Sequence, residues 1–199
     1  MGVSLSDAQV QHLLAYIEEF DKWNKAYNLS AIRDLQQMIS RHLLDSLSVV
    51  PQVSESGAVR IIDVGTGGGL PGIPLAIMFP ERQFTLLDSN GKKTRFLFHV
   101  KNQLHLANVQ VENRRVEAFQ PAQKFQAVIS RAFASLADMV SGCAHLLADD
   151  GVFMAMKGIY PAEELAQLAD LCQLLASHPL QVPGEEGARH LLVLAPRTR

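Results

Sequence analysis

The stretch IIDVGTGGGLPG, residues 61–72, changes character halfway along. Its β-branched start reads as a strand running into Asp63-Val64, and Gly65, Gly67, Gly68 and Gly69 follow at once. Pro71 then stands where a first helical turn would begin, and IPLAIMF continues as an apolar helix. Glycine permits positive φ and lets a ligand come close to the main chain. Proline suits a first helical position because its missing N–H would have no intrahelical partner. Strand, glycine turn and helix N-terminus together predict a pocket for a nucleotide-like ligand.

On either side the pattern predicts further strand–helix alternation. Strands are read at 59–64, 83–88, 108–113, 125–131 and 151–157, with helices near 71–79, 91–105, 135–148 and 161–175. Such alternation gives a parallel sheet covered on both faces. The end differs: HPLQVP, a link GEEGA and RHLLVLAP have no helix between them, which predicts an antiparallel pair. The sheet is thus mostly parallel and seven-stranded, with a C-terminal antiparallel hairpin. Ahead of it, residues 1–55 read as a helical extension to a single domain whose core spans 56–199. Ser6 and Gln9 form a capping box for a helix ending at Asn28. A second helix runs from Asp34 as N-cap to about Val50 and is closed by Pro51. Within it His42, Asp45 and Ser46 share one face. They make either a structural His–Asp pair or a polar cluster aimed at the pocket.

Composition narrows the classes. The 199 residues are 48% hydrophobic with a net charge of −2, which suits one globular domain. No apolar run reaches the roughly 18 residues of a membrane helix, and MGVSLSDAQVQ does not read as a secretory leader. Cys143 and Cys172, on separate predicted helices without metal-type spacing, read as buried thiols of a reducing cytoplasm. No metal site is expected. Charge is uneven, however. Lys92, Lys93, Arg95, Lys101, Arg114 and Arg115 face Glu112 alone between residues 91 and 115. That excess is either a solvated helix face or a surface for a polyanion.

Two cofactors compete for the glycine turn. Gly67, Gly69 and Gly72 satisfy the dinucleotide pattern G-x-G-x-x-G. The register of the strand instead starts the turn at Gly65, one residue after Asp63-Val64. A charge at Asp63 suits a ligand with an ammonium group, such as S-adenosylmethionine, and repels a pyrophosphate. Asp88, ending the second strand, can accept both hydroxyls of a ribose in either cofactor. A reversed C-terminal strand is the arrangement of Rossmann-like methyltransferases. An NAD-linked oxidoreductase on a similar sheet, and a non-catalytic RNA-binding assembly factor, remain the alternatives.

Six segments carry a family resemblance: WNKAYNLS (23–30), RHLLDS (41–46), the glycine stretch extended to residue 76, FTLLDS (84–89), RRVEAF (114–119) and VISRAFASL (128–136). Together they resemble the RsmG (GidB) family of bacterial small-subunit ribosomal RNA methyltransferases. One departure is Gly68, where family members often carry Pro or Ala, and it implies a somewhat more flexible loop. The resemblance implies a class I, Rossmann-like S-adenosylmethionine-dependent methyltransferase acting on N7 of one guanosine in 16S ribosomal RNA. It implies cofactor contacts at Gly65, Leu70, Val116, Glu117 and Arg131, beside Asp63, Gly67 and Asp88 from the strand and loop register.

All these positions lie at the carboxyl ends of parallel strands, where ligands bind open α/β sheets. Guanine N7 carries no proton, so no catalytic acid or base is expected. Arg131 is expected nearest the transferred methyl, and Phe133 is a candidate to stack on a flipped base. The RNA-binding candidates are His42, Lys92, Lys93, Arg95, Arg114, Arg115 and Lys157. Ribosomal RNA or the small subunit is the expected partner, with a monomer in the cytoplasm as the default.

Overall fold

A computed structural model describes residues 2–131 and 133–197. Ala132, inside the VISRAFASL segment, and positions 198–199, at the end of the core range, lie outside the described residues. Among the described residues seven strands form one sheet in the order β3-β2-β1-β4-β5-β7-β6. These are β1 (Arg60–Val64), β2 (Gln83–Asp88), β3 (Val109–Asn113), β4 (Phe125–Ser130), β5 (Leu147–Lys157), β6 (Cys172–Pro179) and β7 (His190–Pro196). The first five pair in parallel, and β7 runs antiparallel to both β5 and β6.

The near-continuous apolar runs of β1 and β4 follow from burial on both faces. Ile61, Phe84, Leu86 and Ile129 pack with the helical extension and with α5 (Gly72–Met78) and α6 (Gly91–Gln103). Ile62, Val128 and Phe153 pack on the other face with α7 (Leu136–Cys143). Strand order turns from β1 to β4, and the crevice at that switch point is where the carboxyl ends of β1, β2 and β4 diverge.

The extension begins with α1 (Asp7–Tyr27), capped by the reciprocal Ser6–Gln9 box and ended by Asn28 at φ 54°. Next come α2 (Leu35–Met38), a π-helical segment (Ile39–Leu44) and α3 (Asp45–Leu47). Asp34 caps this run as expected, its carboxylate accepting from the Gln37 N–H. Pro51 does not close it. That residue sits in the first turn of α4 (Val50–Glu55), where a proline costs no hydrogen bond.

Pro71 is likewise the residue before α5, which starts at Gly72. The expected helix over 161–175 is cut short as α8 (Ala162–Gln167). Cys172 to Pro179 is strand β6, paired with β7 from Cys172↔Pro196 to Pro179↔His190, so Cys172 is on a strand. Local leucine and alanine content favours helix there, but an unpaired edge on β7 is the stronger demand. Both thiols are buried, and burial pushes that of Cys143 up to about 12.

Candidate active site

The glycine loop is closed by its own polar groups. Gly65, Gly67 and Gly69 adopt φ of 69°, 62° and 92°, conformations that side chains resist. The Gly65 and Thr66 N–H groups donate to the Leu87 carbonyl, and those of Gly69 and Leu70 donate to the Thr66 carbonyl. Gly67 N–H donates to Asp88 Oδ2 at 2.9 Å. Asp63 is 1% exposed, and its Oδ2 accepts from Thr66 Oγ1 at 2.6 Å and from the Gly72 N–H at 2.9 Å. Asp63 therefore ties the loop to the start of α5, and its carboxylate is not on the cavity wall. Burial raises its pKa to about 6 against the hydrogen bonds that lower it. Its buried Oδ1 has no partner among the described residues.

This arrangement bears on the cofactor. Most of the loop and helix amides that would cradle a pyrophosphate in a dinucleotide site, those of Gly65, Thr66, Gly67, Gly69, Leu70 and Gly72, are engaged by the protein. What stays open is a cavity of about 360 Å³ bordered by Gly65, Asp88, Val116, Glu117 and Phe133. Asp88 accepts the Gly67 N–H on one oxygen and the Asn90 N–H on the other. Each oxygen keeps a second lone pair, which fits a ribose diol. Val116 opens a short 3₁₀ turn (Val116–Ala118) that offers an apolar wall, with Glu117 exposed beside it. Asp88 and the Val116 wall fit the ribose and base of an adenosine. Phe133 lines this cofactor-side cavity and packs on the α7-side core.

Helix α1 clamps the loop from above. Tyr16 is fully buried, and its hydroxyl, kept protonated by burial, donates to the Gly68 carbonyl at 2.7 Å. A Cβ on Gly68 would lie 2.3 Å from the Phe20 ring, so this glycine is a packing requirement and not a source of flexibility. The WNKAYNLS segment folds back on Asn24, which donates to the Ile32 carbonyl and accepts from the Ser30 N–H. Ser30 Oγ thereby meets His42 Nε2 at 2.8 Å, while His42 Nδ1 is 3.2 Å from the Arg41 carbonyl. Nδ1 is therefore the donor and Nε2 accepts the serine proton. Burial, with Arg131 nearby, lowers His42 to a pKa of about 4. His42 is neutral and buried under the loop, which removes it from the RNA-facing cations.

His42 and Asp45 do not pair with each other. Asp45 turns to Arg131, whose Nη1 lies 3.1 Å from its Oδ2, and to Arg189, whose Nε lies 3.2 Å from its Oδ1. One half-turn of the extension is thus bolted to the ends of β4 and β7. Arg131 separates two small cavities. One of about 180 Å³ reaches Gly65, Leu70 and His42; the other, about 210 Å³, is bordered by Asp45, Met156, Arg189 and His190.

Gly65 borders the 360 Å³ cavity as well, so three adjoining cavities that share first Gly65 and then Arg131 as borders form a track from Asp88 to Arg189. Lys157 lies on this rim but is 13% exposed, its Nζ held by the Ala134 carbonyl and the Glu164 carboxylate. Lys93, Arg114 and Arg115 border the 360 Å³ cavity, with Arg114 also paired to Glu112. Lys92 and Arg95 are exposed on α6. Arg189, Tyr16 and Asn24 went unnoticed in the sequence. The basic start of the last strand, Arg189-His190, is the one visible hint among them.

The model for GidB, rRNA small subunit methyltransferase G, matches residues 9–192. The chain belongs to the GidB family. A ribosomal RNA small subunit methyltransferase G from Cellvibrio japonicus is 65% identical over 199 residues, covering 99% of this chain and 91% of that protein. One from Pseudomonas aeruginosa is 54% identical over 194 residues, covering 98% and 90%. The fold also resembles magnesium protoporphyrin IX methyltransferase from Synechocystis with bound S-adenosylhomocysteine. That structure has a TM-score of 0.65 and 16% identity, over 96% of this chain and 100% of that one. The GidB segments of this chain cluster around the track: the glycine loop and RRVEAF at its cofactor end, RHLLDS and Arg131 at the other.

Proposed function

We propose that this GidB protein transfers a methyl group from S-adenosylmethionine to N7 of one guanosine in 16S ribosomal RNA. The observation that carries the reading is the closed glycine loop. The amides of Gly65, Thr66, Gly67, Gly69, Leu70 and Gly72 are engaged by Leu87, Asp88, Thr66 and Asp63, so the loop offers no row of free N–H groups to a pyrophosphate, and the Asp88 carboxylate borders the cavity for a ribose. Asp88 would hold the ribose and Val116 with Glu117 the adenine. Gly65, Gly67 and Leu70 would shape the path of the methionine portion. When bound, S-adenosylmethionine supplies an electrophilic sulfonium methyl, which the N7 lone pair can accept with no proton to remove.

The protein's part is then alignment, a contribution worth about 7–11 kcal/mol at best. Tyr16 and Asp63 keep the loop rigid, and neutral His42 adds no charge beneath it. Asp45 offsets the charge of Arg131 and Arg189 beside the track. Lys92 and Arg95, with Arg114 and Arg115, would neutralise RNA phosphates around the opening. The reading keeps the protein in the cytoplasm with its ribosomal substrate, as a monomer, a state that sedimentation velocity checks.

Incubation with labelled S-adenosylmethionine and small ribosomal subunits tests the activity, with mapping of the modified nucleotide. Label at a guanine N7 supports it. Saturable S-adenosylhomocysteine binding without label transfer favours an assembly factor, and binding of NAD in its place sinks the cofactor assignment.

A further inference from the structure

Beyond the cofactor end, the track finishes in the 210 Å³ cavity bordered by Asp45, Arg131, Met156, Arg189 and His190. Its lip is the turn after β5, where Ile159 is 84% exposed and Tyr160 is 42% exposed. Tyr160 is held edge-on to the His190 ring, with centroids 5.6 Å apart at 68°. His190 is itself fixed by the Gly158 carbonyl, 3.0 Å from its Nδ1, and by its register opposite Lys157. The lip is therefore a braced aromatic face beside an apolar point, standing over a charged floor.

We propose that this cavity receives the target purine after it leaves its stack, with Tyr160 stacking on the base and Ile159 filling the gap in the RNA. The assignment rests on the methyltransferase reading above. Three observations support the occupant. The cavity adjoins the cofactor side of the track across Arg131, which borders both. Its floor pairs arginine donors with a carboxylate: guanidinium N–H groups match guanine O6, and Asp45, with one N–H on each oxygen, keeps lone pairs for the base's own N–H groups. Its lip carries the two side-chain types that unstacked nucleic acid uses, an aromatic platform and an apolar wedge. Lys157, taken up by Glu164 and Ala134, braces the turn and does not reach for phosphate.

The test measures methylation of small ribosomal subunits by Tyr160→Ala, Tyr160→Phe and Ile159→Ser, with calorimetric S-adenosylhomocysteine affinity for each. Stacking on a base is worth about 1–3 kcal/mol, so Tyr160→Ala should lower kcat/KM by roughly 5- to 150-fold. Tyr160→Phe keeps the ring and should stay within about threefold of wild type, while Ile159→Ser should fall about fivefold, on the low side of the same range. All three should bind S-adenosylhomocysteine like wild type. Normal turnover by Tyr160→Ala and Ile159→Ser overturns the cavity assignment alone, as does a Phe variant as damaged as Ala. Should Tyr160→Ala lose cofactor binding through misfolding, Ile159→Ser, altered only at an exposed side chain, decides the matter. A wild-type protein that binds S-adenosylhomocysteine and transfers no methyl overturns the functional reading and this assignment with it.

Discussion

The two ends of the track are built in opposite ways. At the cofactor end, Gly65 follows β1, Asp88 ends β2 and Val116 follows β3, three neighbouring parallel strands. Each stands at a strand end, so its place follows from local pattern and the rule for open sheets. At the far end, Asp45, Arg131 and Arg189 come from a helix turn, a strand end and the start of a hairpin strand. No local pattern links them; only the docking of the extension on the sheet does. The first end is a property of the β–loop–α unit, the second of how separate units pack.

The difference has measurable consequences. The largest effect should come from Asp45→Ala, which leaves two guanidinium groups facing each other. Breaking a buried ion pair costs about 3–5 kcal/mol, and because both arginines are partly exposed a loss of about 2–3 kcal/mol in urea unfolding is expected. Methyl transfer should be lost while S-adenosylhomocysteine affinity stays within a few-fold. Equal loss of both would mean that the ends are one unit.

Asp63→Asn comes next. The folded pKa of about 6 lies above the ordinary carboxyl value of 3.8, so the wild-type fold binds the extra proton. That contribution is present at low pH and fades as pH rises from about 4 to 6. The stability of the variant minus that of wild type should therefore climb across that window, by on the order of 2 kcal/mol. His42 acts in the reverse direction. Its pKa of about 4 lies below 6.5, so its contribution is lost as pH falls from 6.5 towards 4. In the Asn variant the His42 trend should stand unopposed by Asp63. Urea midpoints at several pH values between 4 and 7 measure both, and a flat difference curve would show that Asp63 is not protonated in the fold.

Gly68→Ala should cost about 1.5 kcal/mol by overpacking against Phe20, with weaker cofactor binding. Combining it with Phe20→Leu should recover part of both, and no recovery would place the strain elsewhere. The smallest effect is expected from Tyr16→Phe, which removes the hydrogen bond to the Gly68 carbonyl for about 1 kcal/mol. Its cofactor affinity should fall a few-fold in calorimetry, while an unchanged value would mean that α1 covers the loop without clamping it.

Much of the fold was legible because its signals are local. The glycine register, the Ser6–Gln9 box and the Asn28 stop are each written within a few residues. The misread places share one cause. Residues 172–175 look helical taken alone, yet they belong to the strand paired with β7, because a long-range ladder outweighs propensity. Pro51 punctuates in either direction, and only the packed chain shows that it opens a helix. In the site, residue types were easier to read than their orientation. Asp63 looked like a ligand carboxylate and serves the loop, and His42 looked like a cation and is neutral by burial. Lys157 looked available and is held by Glu164.

The stretch 61–72, with the strand–helix alternation around it, was enough to specify a parallel sheet with a pocket for a nucleotide-like ligand at its carboxyl edge. Spacing and backbone freedom act over a few residues and are visible in one dimension. Which carboxylate faces inward, which histidine loses its charge and which arginines share Asp45 depend on desolvation and on contacts between residues about 86 and 144 positions apart. Those are properties of packing, because burial and Coulomb attraction act through space and not along the chain.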